Sequence, residues 1–128
     1  MNYYFVKETT LDFDAAVEKV TGLLKEQGFG IITQIDVKET FKQKINEDFR
    51  KYKILGACNP SFAFKAINSE PLIGLLLPCN VVVQEKTGGM VEVSAINPKV
   101  NLELVKNEAV NDLACTVTEI LEKVIRQI

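Results

Sequence analysis

Two prolines set beside Cys-Asn dipeptides fix where strands must stop in this chain. Tyr52-Lys-Ile-Leu-Gly-Ala-Cys-Asn-Pro60 closes an apolar run with a proline, and in Leu75-Leu-Leu-Pro-Cys-Asn-Val-Val-Val83 a run resumes after one. Proline has no N–H to give to a sheet ladder, so an interior strand ends at each position. Each signature therefore marks a junction of strand and turn, and each places one thiol and one turn-forming amide there.

The other elements fall around these two points. Tyr3 to Thr9 alternates aromatic or β-branched residues with polar ones and reads as a first strand. Asp12 is suited to cap a helix in which Phe13, Ala16, Val17, Val20 and Leu24 recur at helical spacing, and Gly28 to close it. Gly22 inside that helix suggests close packing on something. Phe29 to Val37 reads as a second strand with Ile31, Thr33, Ile35 and Val37 on one face, followed by a short amphipathic helix from Thr40 to Asn46. A third strand ends at Cys58, and Asn59-Pro60 starts a helix over Ser61 to Asn68. Pro78 to Glu85 and Met90 to Ile96 form a hairpin about Lys86-Thr87-Gly88-Gly89. The Val81-Val82-Val83 run does not alternate, which predicts a central strand covered on both faces. Asn97-Pro98 repeats the cap, and a long C-terminal helix follows with Val105, Ala109, Leu113, Val117, Ile120, Val124 and Ile128 on one stripe. The expected fold is α+β: one domain over 1–128, a two-layer sandwich of an antiparallel or mixed sheet with helices packed on it.

Composition excludes several classes. The 128 residues carry 15 basic and 17 acidic side chains, a net charge of −2, with no concentrated basic stretch, so nucleic acid is not an expected partner. The most apolar segment, Leu72 to Val83, is broken by Gly74, Pro78 and Asn80 and is too short to cross a bilayer. The N-terminus lacks the basic and apolar regions of a secretory leader, and three cysteines suit a reducing compartment; the expected location is the cytoplasm. There is no His, which removes the commonest metal ligand and general base. Ser61 and Ser69 therefore lack a triad partner, and Gly88-Gly89 precedes no helix and is not a phosphate loop.

Gly56-Ala57-Cys58-Asn59-Pro60 and Ile73-Gly74-Leu75-Leu76-Leu77-Pro78-Cys79-Asn80-Val81-Val82-Val83 resemble the patterns of a bacterial and archaeal family, domain of unknown function 302, and the resemblance covers essentially the whole chain. It implies a compact two-layer α/β sandwich and a tendency to form dimers, and it implies no activity or cofactor. The family often has Asp-Pro followed shortly by Met where this chain has Asn97-Pro98-Lys99-Val100, so a role of that acid or Met is not carried over.

The candidate ligand-binding residues are Cys58, Asn59, Pro60, Pro78, Cys79 and Asn80, with Leu75 to Leu77 as an apolar wall; no catalytic residue is assigned. In the leading reading the chain is a small binding or interaction module, homodimeric, with a small ligand held by amide donors at these turns. If the two strand ends are neighbours, Cys58 and Cys79 meet, and a thiol redox pair or a soft-metal site is the alternative. A helix start beside a thiol would lower its pKa. The third reading is structural: free Cys behaves as a small buried hydrophobe and Asn-Pro as a cap, with the dimer as the working surface. Cys115 points away from the helix stripe among acidic neighbours and is expected to be exposed and inert. Tyr3, Tyr4, Phe5, Phe62 and Phe64 are candidates for a pocket or for core.

Overall fold

The computed structural model describes residues 1–128. Five strands, β1 (Tyr4–Thr9), β2 (Gly30–Asp36), β3 (Tyr52–Cys58), β4 (Cys79–Glu85) and β5 (Val91–Ile96), form one antiparallel sheet in the order β1-β5-β4-β3-β2. The helices are α1 (Phe13–Glu26), α2 (Val37–Ile45), α3 (Pro60–Ser69), α4 (Pro98–Asn101) and α5 (Glu108–Arg126), with a 3₁₀ helix at Pro71–Leu76. The fold is α+β, as expected, and no helix is long and apolar enough to cross a membrane.

Local chemistry sets these boundaries. The Asp12 carboxylate accepts a hydrogen bond from the Ala15 N–H at 2.8 Å and opens α1, whose buried stripe is Phe13, Ala16, Val20 and Leu24. Gly28 follows the helix at φ 84°. Gly88 and Gly89, at φ 90° and 84°, supply the hairpin turn that the sequence predicts. Leu24, Leu55, Val81, Val83, Val93 and Leu121 lock the sheet to α1 and α5 in the main core. Each such fully buried side chain contributes about 1.5–3 kcal/mol of transfer free energy. A second, smaller core of Ala66, Ile73, Leu102, Val110 and Ala114 lies where α3, the 3₁₀ helix and α5 meet.

Several expectations are corrected. Val37 belongs to α2, because the Asp36 side chain caps that helix through the Glu39 N–H at 3.0 Å. An irregularity between Ile31 and Thr33 divides the face predicted for β2. Ile31 packs with the core, while Ile35 is 48% exposed. Gly22 packs on nothing: a Cβ there would meet no atom within 4 Å. The C-terminal helix is two helices, since Asn107 caps a new one through the Val110 N–H. Its buried stripe is Val110, Ala114, Val117, Leu121, Val124 and Ile125, so only Val117 and Val124 of the predicted set are buried. Cys115 is exposed as expected.

The central strand holds the most consequential correction. β4 is the middle strand, but only one of its faces is covered: Val81 and Val83 are buried and Val82 is only half-buried. The register shows what lies on the other face. Ile35, Ile54, Val82, Ser94 and Val6 are aligned partner to partner across all five strands. One flanking row is Tyr52, Gln84, Glu92 and Glu8, and the other is Thr33, Gly56, Asn80, Ile96 and Tyr4. The sheet thus has a packed face and a more open face whose middle row is apolar but for Ser94; at one edge of that face Phe49, stacked on Phe41 of α2, packs against the Tyr52 ring.

Candidate functional site

The two Cys-Asn junctions do come together. Ala57 of β3 pairs with Cys79 of β4, so both signatures lie at the same end of the sheet. There α3 begins: the Asn59 side chain accepts from the Phe62 N–H at 3.2 Å, and Pro60 occupies the first turn, where no N–H is needed. Asn59 packs against the end of α1, its Nδ2 lying 3.0 Å from where a Cβ of Gly28 would stand. The Phe62 ring tilts against Phe29 with centroids 6.2 Å apart.

Between this sheet end, α3 and α5 lies a cavity of about 60 Å³. Its lining is mostly apolar, and the short side chains of Ala57, Ala63, Ala66 and Ala114 leave it open. Of the six candidate residues, Cys58, Asn59, Pro78 and Cys79 border it. Pro60 and Asn80 do not. Pro60 is exposed at the helix start, and Asn80, paired with Gly56, stands on the uncovered face beside Leu75, Leu76, Leu77 and Pro78. The expected apolar wall is reduced to Leu77; Leu75 is 82% exposed, and Leu76 packs on the second core. Of the candidate pocket aromatics only Phe62 lines the cavity, while Phe64 is 72% exposed. Of the other wall residues, Ile73 opens the second family signature, whereas Phe29 and Leu102 carry no sequence signal beyond being apolar.

The cavity's size and lining restrict its chemistry. Small-molecule pockets enclose roughly 300–1,000 Å³, so this one as built takes only a very small ligand. Its walls offer water few partners, and apolar cavities of this kind stay dry.

The thiols are adjacent but not convergent. All three cysteines are free. Cys79 shares a face with its partner Ala57 and packs on the main core. Cys58 is the next residue along β3, and strand alternation directs its side chain to the other face. Two side chains that diverge in this way cannot form a disulfide without backbone movement. Burial pushes the Cys79 thiol up to about 11, and the charge of Cys58 adds a smaller rise. This is opposite in direction to the lowering that a neighbouring helix start would give, so desolvation dominates at Cys79. The structure contains no group of three or more His, Cys, Asp or Glu side chains that could hold a metal ion.

Gly56 has a clear reason to be glycine. A Cβ there would collide with Thr33 Oγ1 and lie 2.8 Å from Pro78 Cγ. The first signature therefore depends on the second: the Pro78 ring leans on the bare backbone of Gly56, with the Leu77-Pro78 peptide cis. On the other side of the cavity Asn97, only 2% exposed, ties three segments together. Its amide donates to the Asn2 carbonyl at 3.1 Å, and its Oδ1 accepts from the Lys99 N–H and the Thr118 hydroxyl, both at 3.2 Å.

Comparison with known proteins agrees with this architecture. No curated protein matches the chain. A crystal structure of an uncharacterised conserved protein, DUF302, from Bacillus stearothermophilus superposes with a TM-score of 0.90, covering 99% of this chain and 98% of that one at 23% identity. At that identity the likeness shows the fold. The family model described as "Domain of unknown function DUF302" matches residues 5–128. That description names no activity, and the chain belongs to this family.

Proposed function

We propose that this chain is a single-domain, non-enzymatic interaction module that works as a homodimer in the reducing cytoplasm, using the uncovered face of its sheet. The observation that carries the reading is the row Ile35, Ile54, Val82, Ser94, Val6, apolar at every position but Ser94. Monomeric proteins rarely leave a contiguous apolar patch of more than a few hundred Å² in water. Tyr4 flanks this one on one side and Tyr52, against the Phe49 ring, on the other. Sedimentation equilibrium over a wide concentration range tests the reading. A dimer is expected, and a chain that stays monomeric at high concentration would defeat it.

A second reading rests on the cavity. A small apolar ligand entering beside Cys79, bordered by Cys58, Asn59 and Pro78, would fill the space and raise the melting temperature. Xenon is a suitable probe: chemical shifts that respond to Cys79→Val would support binding there, and unperturbed xenon would oppose it. The thiol-redox and soft-metal alternatives fare worse. Diverging side chains and a protonated Cys79 argue against both.

A further inference from the structure

We infer that the uncovered face is self-complementary about a two-fold axis lying parallel to β4 and passing over Val82, so that the occupant of this face is a second copy packed sheet to sheet. The inference rests on the homodimer reading and specifies its surface and its axis.

Rotation about an axis along the central strand keeps each row on its own row and exchanges left for right. In the order β1-β5-β4-β3-β2 it lays β1 over the partner's β2 and β5 over the partner's β3. The three rows respond differently. In the middle row Val82 meets its own copy, and Ile54 and Ile35 meet the partner's Ser94 and Val6. In the first flanking row the charges match. On the β1–β5 side Glu8 and Glu92 share only one cation, Lys86 at 3.3 and 3.2 Å, which leaves a net negative charge. On the β3 side Arg50 reaches into the same row, its Nε 3.0 Å from Gln84 Oε1 and its guanidinium over the Phe49 ring, and it makes no salt bridge. The rotation brings Arg50 over the partner's Glu92 and Glu8. In the second flanking row the side chains of Tyr4 and Ile96 lie over Thr33 and over Gly56, whose backbone is already covered by the Thr33 side chain and the Pro78 ring.

The other in-plane axis, perpendicular to the strands, does not pair the charges. It sets the charged row against the row of Asn80 and Tyr4, where Arg50 finds no acid. The face also has a suitable size. Five strands at about 4.8 Å spacing and rows about 6.8 Å apart give roughly 24 by 20 Å in projection, less the corner where β2 has passed into α2. Side chains standing on that area bring its accessible surface toward the roughly 800 Å² per partner of a standard interface. Sheets packed this way cross at about −30°, which leaves the central contacts closest and lets the corners splay.

The test combines light scattering after gel filtration with sedimentation equilibrium, with circular dichroism to show that each variant is folded. Val82→Arg is expected to weaken the dimer about 30-fold or more, because it places a charge against its own copy at the interface centre. Glu8→Arg and Arg50→Glu should each weaken it several-fold, and the double variant should recover most of the loss. Val82→Cys should give, under mild oxidation, a covalent dimer whose linking peptide joins position 82 to itself. A monomeric wild type overturns both this inference and the homodimer reading. A dimer indifferent to Val82→Arg overturns the surface alone, and a dimer that is not restored by the charge exchange overturns the axis alone.

Discussion

If burial governs Cys79, its reactivity should vary with pH in a way that no exposed thiol does. The pKa rises from the ordinary 9.0 to about 11. At pH 8 an ordinary thiol is roughly one-tenth thiolate and this one about one-thousandth, so protonation alone slows alkylation about 100-fold. Pulse alkylation of the native protein from pH 7 to pH 10.5, read by peptide mass spectrometry, compares Cys79 with exposed Cys115 in the same molecules. The Cys79 rate should still climb about tenfold per pH unit beyond pH 9.5, because only thiolate reacts. Levelling off at or below pH 9 in the closed native state would refute the reasoning. Reaction through transient opening would also level off near 9, but it accelerates in mild urea, and direct attack does not. The same shift bears on stability. Above pH 9 the unfolded chain sheds this proton while the folded chain keeps it, so stability is whole below 9 and falls between about 9 and 11. The two-unit rise corresponds to about 2–3 kcal/mol lost across that window, which urea melts at pH 8 and pH 11 would register against Cys79→Ala.

Three further substitutions probe the packing around the site. Gly56→Ala should cost about 1–3 kcal/mol by forcing Thr33 and Pro78 apart, and the cost should shrink in a Thr33→Ala background; additive costs in denaturant melts would dismiss the clash with Thr33. Gly22→Ala, with nothing within 4 Å of the new methyl, should stabilise by about 1 kcal/mol through helix propensity alone, and a lower melting temperature would contradict that. Asn97→Ala should cost about 1–2 kcal/mol, since it strips the Asn2 carbonyl and the Thr118 hydroxyl of a partner while the Lys99 N–H keeps Thr118 Oγ1, and an unchanged urea midpoint would show the network to be dispensable.

Much of the frame was legible in the residues, and the failures have physical causes. Asp12, Asn59 and the Gly88-Gly89 turn announce themselves because a cap or a positive φ demands particular side chains. The Val81-Val82-Val83 run conveys less: β-branched residues suit a strand whether or not both its faces are covered, so the open face was hidden. In the C-terminal region apolar residues occupy much of the helical circumference, and the stripe cannot be phased until the start is known. Asn107 supplied that start, but Asn97-Pro98 offers the same kind of cap ten residues earlier, and both are real caps of different helices. The two Cys-Asn dipeptides look alike and act differently because their C-terminal neighbours differ. Pro60 lets Asn59 open a helix, whereas Val81 to Val83 carry Asn80 into a strand.

The deepest limit concerns parity. Within one strand the sequence shows which residues share a face, because the side-chain period is two. Between strands it shows nothing until the register is known, and a slip of one residue inverts the relation. Cys58 and Cys79 illustrate this. Both lie at the ends of apolar runs beside proline, and from the residues alone they could as well meet as part. The pairing of Cys79 with Ala57 decides it, and the thiols diverge. The same register aligns Ile35, Ile54, Val82, Ser94 and Val6, residues that stand apart in the chain and form a surface only through it. A motif reading leads to the cysteines because they are conspicuous. The register shifts the weight of the functional argument to Val82, a residue that no motif would single out.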